Sequence, residues 1–438
     1  MAGGTSRNFS ILVLAAALSC AAAVARAAPP RLSSAFELGY DRFAQVFKIA
    51  DSILLDSLGP SATFRSSSKD TTDVFTEFRT QGELRLRNPK GAHRYDLLLL
   101  GSLGTSLNRG TFDAVYRYRP RESATRWDLE AKLEGRQFVK DSSFSLSHDN
   151  LRALTSVRWR RRASHSVEFG LKLKDEDLRY DGRSEFEYDQ NRWTGSGLLS
   201  LDRGLGLTLD LEAGGGVRTV PDSTQISYQR GFLNADLLWL FGAGHSLSCF
   251  STFERRAFQD PKTRSPYWDL VLEPQLRIML TPLWRLSLDL SQELLFYDTD
   301  GQVYQDTWIG ELGIGLTRRF GELELGVQPR WSWDSSPRFA DDEYRQPSVL
   351  VKADLYGNGR LWFTISEEIG RRLYADSPEA SIQLYTDYTF FRTTLMATLS
   401  VSEKLSLNAF VSDQPDNHLR EEDDSRLTLY SLSLRASF

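Results

Sequence analysis

The chain has 438 residues, of which 41% are hydrophobic, 25% charged and 12% aromatic, with a formal net charge of -5. Its mean hydropathy of -0.37 is ordinary for a soluble protein of one or two domains, and beyond the N-terminus no apolar run reaches about 18 residues, which excludes a bundle of transmembrane helices. The slight acidic excess gives no ground to expect a nucleic-acid partner; a transmembrane β-barrel passes all these filters, because it shows only alternate residues to lipid and so averages out its hydropathy.

Residues 1–27 read as a secretory signal peptide. Arg7 sits in a short polar lead, an apolar run extends from Phe9 to Ala25, and Ala25-Arg26-Ala27 supplies the small residues that precede cleavage after Ala27. Cys20 is preceded by Ala-Leu-Ser, with Ala where a lipid-attachment motif wants Leu, so cleavage after Ala27 is expected rather than lipidation. Once the signal is removed Cys249 is the only cysteine, which leaves no intramolecular disulfide and no multi-cysteine metal site.

Residues 28–71 form an N-terminal segment with two parts. In RLSSAFELGYDR, Phe36, Leu38 and Tyr40 alternate with Glu37, Gly39 and Asp41, which predicts a strand. In residues 43–58, Phe43, Val46, Phe47, Ala50, Ile53, Leu54 and Leu58 recur at helical spacing and Gly59-Pro60 ends the run, which predicts one short amphipathic helix. That helix would either shield the rim or an edge of the fold, or act as a constriction.

From residue 72 to 438 the punctuation is regular. Turn signals near Pro89, Pro120, Ala163, Gly204, Gly244, Pro282, Gly321, Gly359 and Glu403 recur at intervals of about 40 residues. A propeller blade of that length holds four short strands, whereas each interval here divides into two long alternating segments. Trp127, Leu129, Ala131 and Leu133 oppose Asp128, Glu130, Lys132 and Glu134; Leu286, Leu288 and Leu290 oppose Arg285, Ser287 and Asp289; Leu270, Leu272 and Leu276 oppose Asp269, Glu273 and Gln275. An apolar face opposite a charged one, strand after strand, fits either a sandwich or a membrane barrel. Tryptophan favours the barrel. Trp127, Trp159, Trp239, Trp284 and Trp362 lie close to the tight turns and Trp193, Trp268, Trp308, Trp331 and Trp333 toward the other strand ends, two levels that match interfacial girdles.

The last strand, LYSLSLRASF, puts Tyr430, Leu432, Leu434, Ala436 and Phe438 on one face. A cleaved signal, strands of about ten membrane-facing residues and this aromatic ending together resemble the bacterial outer-membrane β-barrel proteins, a porin-like superfamily. The resemblance implies an all-β, antiparallel up-and-down barrel in the cell outer membrane, in contact with lipid and lipopolysaccharide. It also implies that Tyr430, Leu432, Leu434 and Phe438 form the signal read by the barrel-assembly machinery. With the last strand ending at the periplasmic rim, counting back gives nineteen strands from about Asp73, and RLSSAFELGYDR makes twenty; eighteen is the alternative if two weak segments fail to span. The oligomeric state is not legible.

Chemistry-bearing motifs are few. The five histidines show neither close spacing nor an HExxH pattern, no phosphate-binding or dinucleotide fingerprint occurs, and adjacent Ser147 and His148 in SHDN would point to opposite faces of a strand. The acidic stretches from Asp298 and at Asp341–Glu343 lack the spacing of a calcium loop. No enzyme activity and no cofactor are therefore expected. The polar face carries the interest: Arg79, Arg85, Arg117, Lys132, Arg136 and Arg158 would line a lumen beside Glu130 and Glu134, with Asp210, Asp269, Glu273, Asp289 and Glu311 on later strands. Those charges make either a ladder of compensating ion pairs or a solute site that favours polar or zwitterionic molecules. A channel for small polar solutes is the leading expectation. A structural or export-accessory barrel, for example in polysaccharide export, is the second, and a barrel enzyme the third. A plugged TonB-type receptor is disfavoured, since only about 45 residues separate the cleavage site from the regular strands.

Overall fold

The computed structural model describes residues 31–55, 64–120, 123–139, 148–182, 188–204, 206–299, 306–335, 343–357, 359–375, 387–419 and 424–438. The expected signal peptide, residues 1–27, lies outside them. Twenty strands follow one another: β1 (Arg31–Leu55), β2 (Phe64–Asn88), β3 (His93–Gly104), β4 (Leu107–Tyr118), β5 (Thr125–Phe138), β6 (Asn150–Arg162), β7 (Val167–Tyr180), β8 (Gln190–Asp202), β9 (Leu207–Thr219) and β10 (Tyr228–Phe241), then β11 (His245–Phe258), β12 (Tyr267–Met279), β13 (Trp284–Tyr297), β14 (Thr307–Phe320), β15 (Leu323–Ser335), β16 (Tyr344–Gly357), β17 (Leu361–Tyr374), β18 (Tyr388–Ser402), β19 (Leu405–His418) and β20 (Ser425–Ser437). Each pairs antiparallel with its sequence neighbours, and β1 pairs with β20, so the sheet closes and has no edge within the wall. The expected closed, up-and-down barrel of 20 strands is what the chain forms.

Closure is sealed by the two ends of the wall. Phe438 N donates to Ser34 O at 2.7 Å and Ser34 N donates to Phe438 O at 3.1 Å. The terminal aromatic therefore extends the β1–β20 ladder rather than hanging beyond it. Tyr430, Leu432, Leu434 and Phe438 all lie exposed on the outer face.

The two rims differ. One carries the chain ends of the wall and short turns such as Gly242–Gly244 and Gly321–Glu322, where Gly244 (φ 93°) and Gly321 (φ 64°) occupy the left-handed region that a side chain disfavours. The other carries most of the longer connections, the asymmetry expected of a barrel whose short-turn rim faces the periplasm. At the outer rim a single device recurs. Asp149, Asp189, Asp306, Asp387 and Asp424 each accept, at 2.6 to 2.8 Å, the N–H of the residue that ends the preceding strand, namely Phe138, Tyr180, Tyr297, Tyr374 and His418. A carboxylate thus satisfies a donor that the ladder leaves behind. In the 259–266 connection Asp260 accepts from Thr263 Oγ1 at 2.6 Å and from the Lys262 N–H at 3.2 Å, and the hydroxyl's hydrogen bond holds its carboxyl below the usual carboxylate range.

At about 3.3 Å per residue, the 12 to 15 residues of β3 to β20 suffice for a tilted span. β1 and β2 have 25 residues each. Their mutual pairing runs from Arg31↔Arg87 to Leu55↔Phe64, whereas β1 leaves β20 at Phe47↔Ser425 and β2 leaves β3 at Arg79↔Gly104. The hairpin therefore projects beyond the outer rim as a two-stranded arm.

This corrects the expected helix. Residues 43–55 continue β1 as strand, and 56–58 lie outside the described residues. A lone amphipathic helix of sixteen residues is marginal and would need an apolar partner, while β-branched and aromatic Phe43, Val46, Phe47, Ile49 and Ile53 suit a strand that gains a full ladder from β2.

Candidate functional site

Strand register assigns every described wall residue to one of two faces. Leu99, Leu171, Leu173, Ile314 and Val351, each at least half exposed, share the outer face, which shows apolar side chains to lipid. Nine of the ten tryptophans lie on it too; Trp362, opposite Tyr356, falls on the inner parity near the periplasmic rim. The inner face is identified by contacts that reach over a whole intervening strand, as only a concave surface readily permits. Lys172 Nζ on β7 bonds Glu212 Oε1 on β9 at 3.1 Å, Gln328 Nε2 on β15 bonds Asp289 Oδ2 on β13 at 2.8 Å, and Arg435 Nη2 on β20 bonds Glu83 Oε2 on β2 at 2.8 Å.

All thirteen charged residues singled out on the sequence fall on this inner face, but their surroundings differ. Arg79 meets Glu37 at 3.6 Å and Asp41 at 3.4 Å; Arg85 Nε donates to Asp96 Oδ1 at 2.7 Å; Arg117 approaches Asp128 at 4.0 Å. Lys132 pairs with Glu134 at 2.6 Å, Glu134 also holds Arg152 at 3.3 Å, and Arg152 continues to Glu176 at 2.7 Å. Glu130 accepts from Ser156 Oγ at 3.1 Å. Asp289 takes Gln328, and Glu311 takes Arg330 at 3.7 Å and Ser332 Oγ at 3.2 Å. The rest make no such bond among the described residues. Arg136 stands opposite Arg109, Asp269 opposite Glu254, Glu273 opposite Phe250, and Asp210 opposite Asp236, while Arg158 lies between Asp128 and Lys172. The early bases are thus mostly matched by nearby carboxylates, which softens the segregation of charge expected from composition along the chain.

Two groups on the inner face escaped the sequence reading. One is a continuation of the ladder, in which Arg230 meets Glu254 at 3.1 Å and Arg330 approaches Glu368 at 3.9 Å. The other is aromatic. Near the outer rim Tyr228 and Phe258 pack at 5.8 Å and Tyr267 and Tyr297 at 5.5 Å, with Arg256 lying 4.6 Å from the Tyr228 ring and 5.1 Å from that of Tyr267. Further round the wall, on β16 to β19, Tyr344, Tyr374, Tyr388 and His418 form a second arc, with Arg372 4.0 Å over the Tyr344 ring. Tilted and edge-on rings and guanidinium groups brace the mouth from inside. Parity could have found them, since Tyr228 shares its side of β10 with Arg230 and Asp236, but rings at strand ends read equally well as an outer girdle.

Motifs weighed for catalysis serve the loops. His148 Nδ1 lies 3.8 Å from Asp181 Oδ1 and Asp149 closes its connection, while Ser147 lies outside the described residues. Of the two acidic stretches, 300–305 and 341–342 also lie outside them; Asp298 pairs with Arg255. Among the described residues no three His, Cys, Asp or Glu side chains converge as a metal site would need.

No family model matches the chain, and no curated protein sequence matches it. Solved structures do. The siderophore receptor PirA from Pseudomonas aeruginosa is similar over 93% of this chain and 80% of its own, with a TM-score of 0.53 and 12% identity. The alcaligin outer-membrane receptor FauA from Bordetella pertussis is similar over 93% of this chain and 76% of its own, also with a TM-score of 0.53 and 12% identity. OpdQ from Pseudomonas aeruginosa, at a TM-score of 0.45 and 9% identity, covers 98% of its own length but is too distant to carry weight. Likeness at this identity speaks to fold alone. The chain therefore shares the fold of these structures: a closed 20-stranded β-barrel with an apolar exterior and a charged interior.

Proposed function

We propose that the protein is an outer-membrane channel that passes small polar solutes through its charged lumen. The observation that carries this reading is how the inner charges are satisfied: they pair along the wall, with neighbours on the same strand or one or two strands away, as in Lys132–Glu134, Arg152–Glu176 and Lys172–Glu212. Side chains that lie along the wall leave the axis to water. A barrel of 20 strands is wide enough for an aqueous path, because 16 to 18 strands already enclose one. All described strands belong to the wall, and none fills the interior. Assembly would follow recognition of the β20 strand with Phe438 by the barrel-assembly machinery.

The test is liposome swelling with the refolded chain from residue 28 onward. Vesicles carrying it should swell in isosmotic arabinose or glycine at a rate that scales with protein content, and should not swell in a large dextran. Vesicles that stay tight to all small solutes would overturn the channel. The second reading, a structural or export-accessory barrel, would then take over; what favours it is the arm made by β1 and β2, a two-stranded projection suited to holding a partner outside the rim.

A further inference from the structure

On the inner wall between β6 and β10, toward the periplasmic side, lies a hollow of about 340 Å³. One flank carries Arg158 and Arg160 on β6. The other carries Asp210 on β9 and Asn234 and Asp236 on β10, with Ser200 on β8 between the flanks. Here the ion-pair ladder breaks. Glu212 is taken by Lys172 and by Ser196 Oγ at 2.6 Å, and Glu168 is taken by Arg126 and by Arg160 at 3.3 Å. Arg158 lies between Asp128 on β5 and Lys172 on β7, and among the described residues no carboxylate is bonded to it; Asp210 and Asp236 stand directly opposite each other, and among the described residues no cation is bonded to either. Like charges at opposed positions of a sheet are destabilising, so the Asp210–Asp236 flank is held at a cost that a cationic group would relieve, while Arg158, whose opposite carboxylate Asp128 is already approached by Arg117 and Arg119, is open to an anionic one.

The geometry separates the two flanks rather than letting them cancel. β6 and β9 stand three strands apart, about 14 Å at the usual strand spacing, and an arginine side chain spans only part of that. Gly170 on β7 keeps the intervening floor low. A Cβ there would meet Trp159 O at 2.3 Å and Arg160 Cγ at 3.2 Å, so the glycine lets Arg160 lie flat toward Glu168 instead of across the hollow.

We infer that this hollow is a binding subsite for small zwitterions, with the anionic end of the solute on Arg158 and its cationic end between Asp210 and Asp236. It rests on the channel reading for its purpose, as a station on the solute path, but not for its existence. Neither an anion nor a cation alone satisfies both flanks, whereas a molecule carrying both charges a few bonds apart does.

The test is equilibrium dialysis of radiolabelled γ-aminobutyrate against the refolded, detergent-solubilised chain at low salt, a measurement that needs no open pore. Saturable binding in the millimolar range is expected, resisting competition by butyrate or by butylammonium alone. Arg158→Gln and Asp236→Asn should each weaken it about tenfold in protein whose heat-modifiable migration shows a folded barrel. Absence of saturable binding to the unaltered chain overturns the subsite. So does full competition by butyrate, which would mark a simple anion site, and so does unchanged binding in both variants. The competition arm needs no variant, so a misfolded mutant leaves the inference open to refutation. Tight vesicles with intact γ-aminobutyrate binding would remove the channel and keep the subsite; swelling without binding would do the reverse.

Discussion

On β7, Leu173 is 61% exposed on the outer face, while its neighbour Lys174 reaches Glu176 at 3.3 Å on the inner one. One residue of register separates two solvents. Outside, the requirement is generic, because any large apolar side chain is acceptable to lipid and none needs a specific partner. Inside, each charge depends on a particular residue, often one that reaches over a strand, as Lys172 depends on Glu212. The outer face therefore constrains composition, and the inner face constrains identity.

The sharpest way to break that contrast is to exchange the rules. Leu173→Lys should lower the stability of the inserted barrel by about 2–4 kcal/mol, the cost of a lysine near the bilayer midplane, as measured by reversible urea unfolding in vesicles. Lys174→Leu, one position away, should cost about 1 kcal/mol or less, since it removes one of two cations from Glu176 on the wet face. Equal costs would mean that the two faces do not see different solvents.

A smaller effect is expected where the wall closes. Phe438→Ser keeps both backbone bonds to Ser34 but loses the interfacial ring, and should cost about 1–2 kcal/mol. Deleting Phe438 removes those bonds as well and should impair insertion further. Insertion is followed by heat-modifiable migration, and indistinguishable behaviour of the two variants would leave the ladder contact without a role. Smaller still is Arg152→Met, which takes one cation from both Glu134 and Glu176 and leaves each its lysine, Lys132 and Lys174. It should cost about 1 kcal/mol at low salt and less at high salt, because the pairs are screened. Removing residues 50–63 should change wall stability least, since β1 has already left β20 at Phe47 and β2 meets β3 only from Arg79 onward. A barrel that no longer closes would show that the arm is part of the wall.

The parts of this that period two controls were legible in the sequence. The strands and the face of each charged residue follow from alternation, and the count of twenty from alternation together with the even number that closure requires. The stretch from Phe43 to Leu55 was not, because Phe43, Val46, Phe47, Ala50, Ile53 and Leu54 fit a helical stripe, and only pairing with β2 decides for a strand. Nor could alternation say which charges pair. Lys172 and Glu212 are 40 positions apart and meet because the wall is concave, while the opposition of Asp210 and Asp236 depends on the register of a hairpin. The loop-closing role of Asp149, Asp189 and Asp306 was hidden for a similar reason: a lone aspartate before a strand has no distinguishing neighbour in sequence.

The central claim, a wet conducting interior behind a lipid-facing wall, is tested most directly by single-channel current through a barrel carrying one inward cysteine. In a Cys249→Ser background, Asp236→Cys places the thiol on the inner face and Leu237→Cys places it one residue away on the outer face. A membrane-impermeant, positively charged thiol reagent added to open channels in a planar bilayer should change the current of the Asp236→Cys channel in one discrete, reductant-reversible step and leave that of the Leu237→Cys channel unaltered. Current that is absent under all voltages and salts, or that responds alike in both variants, would contradict the account.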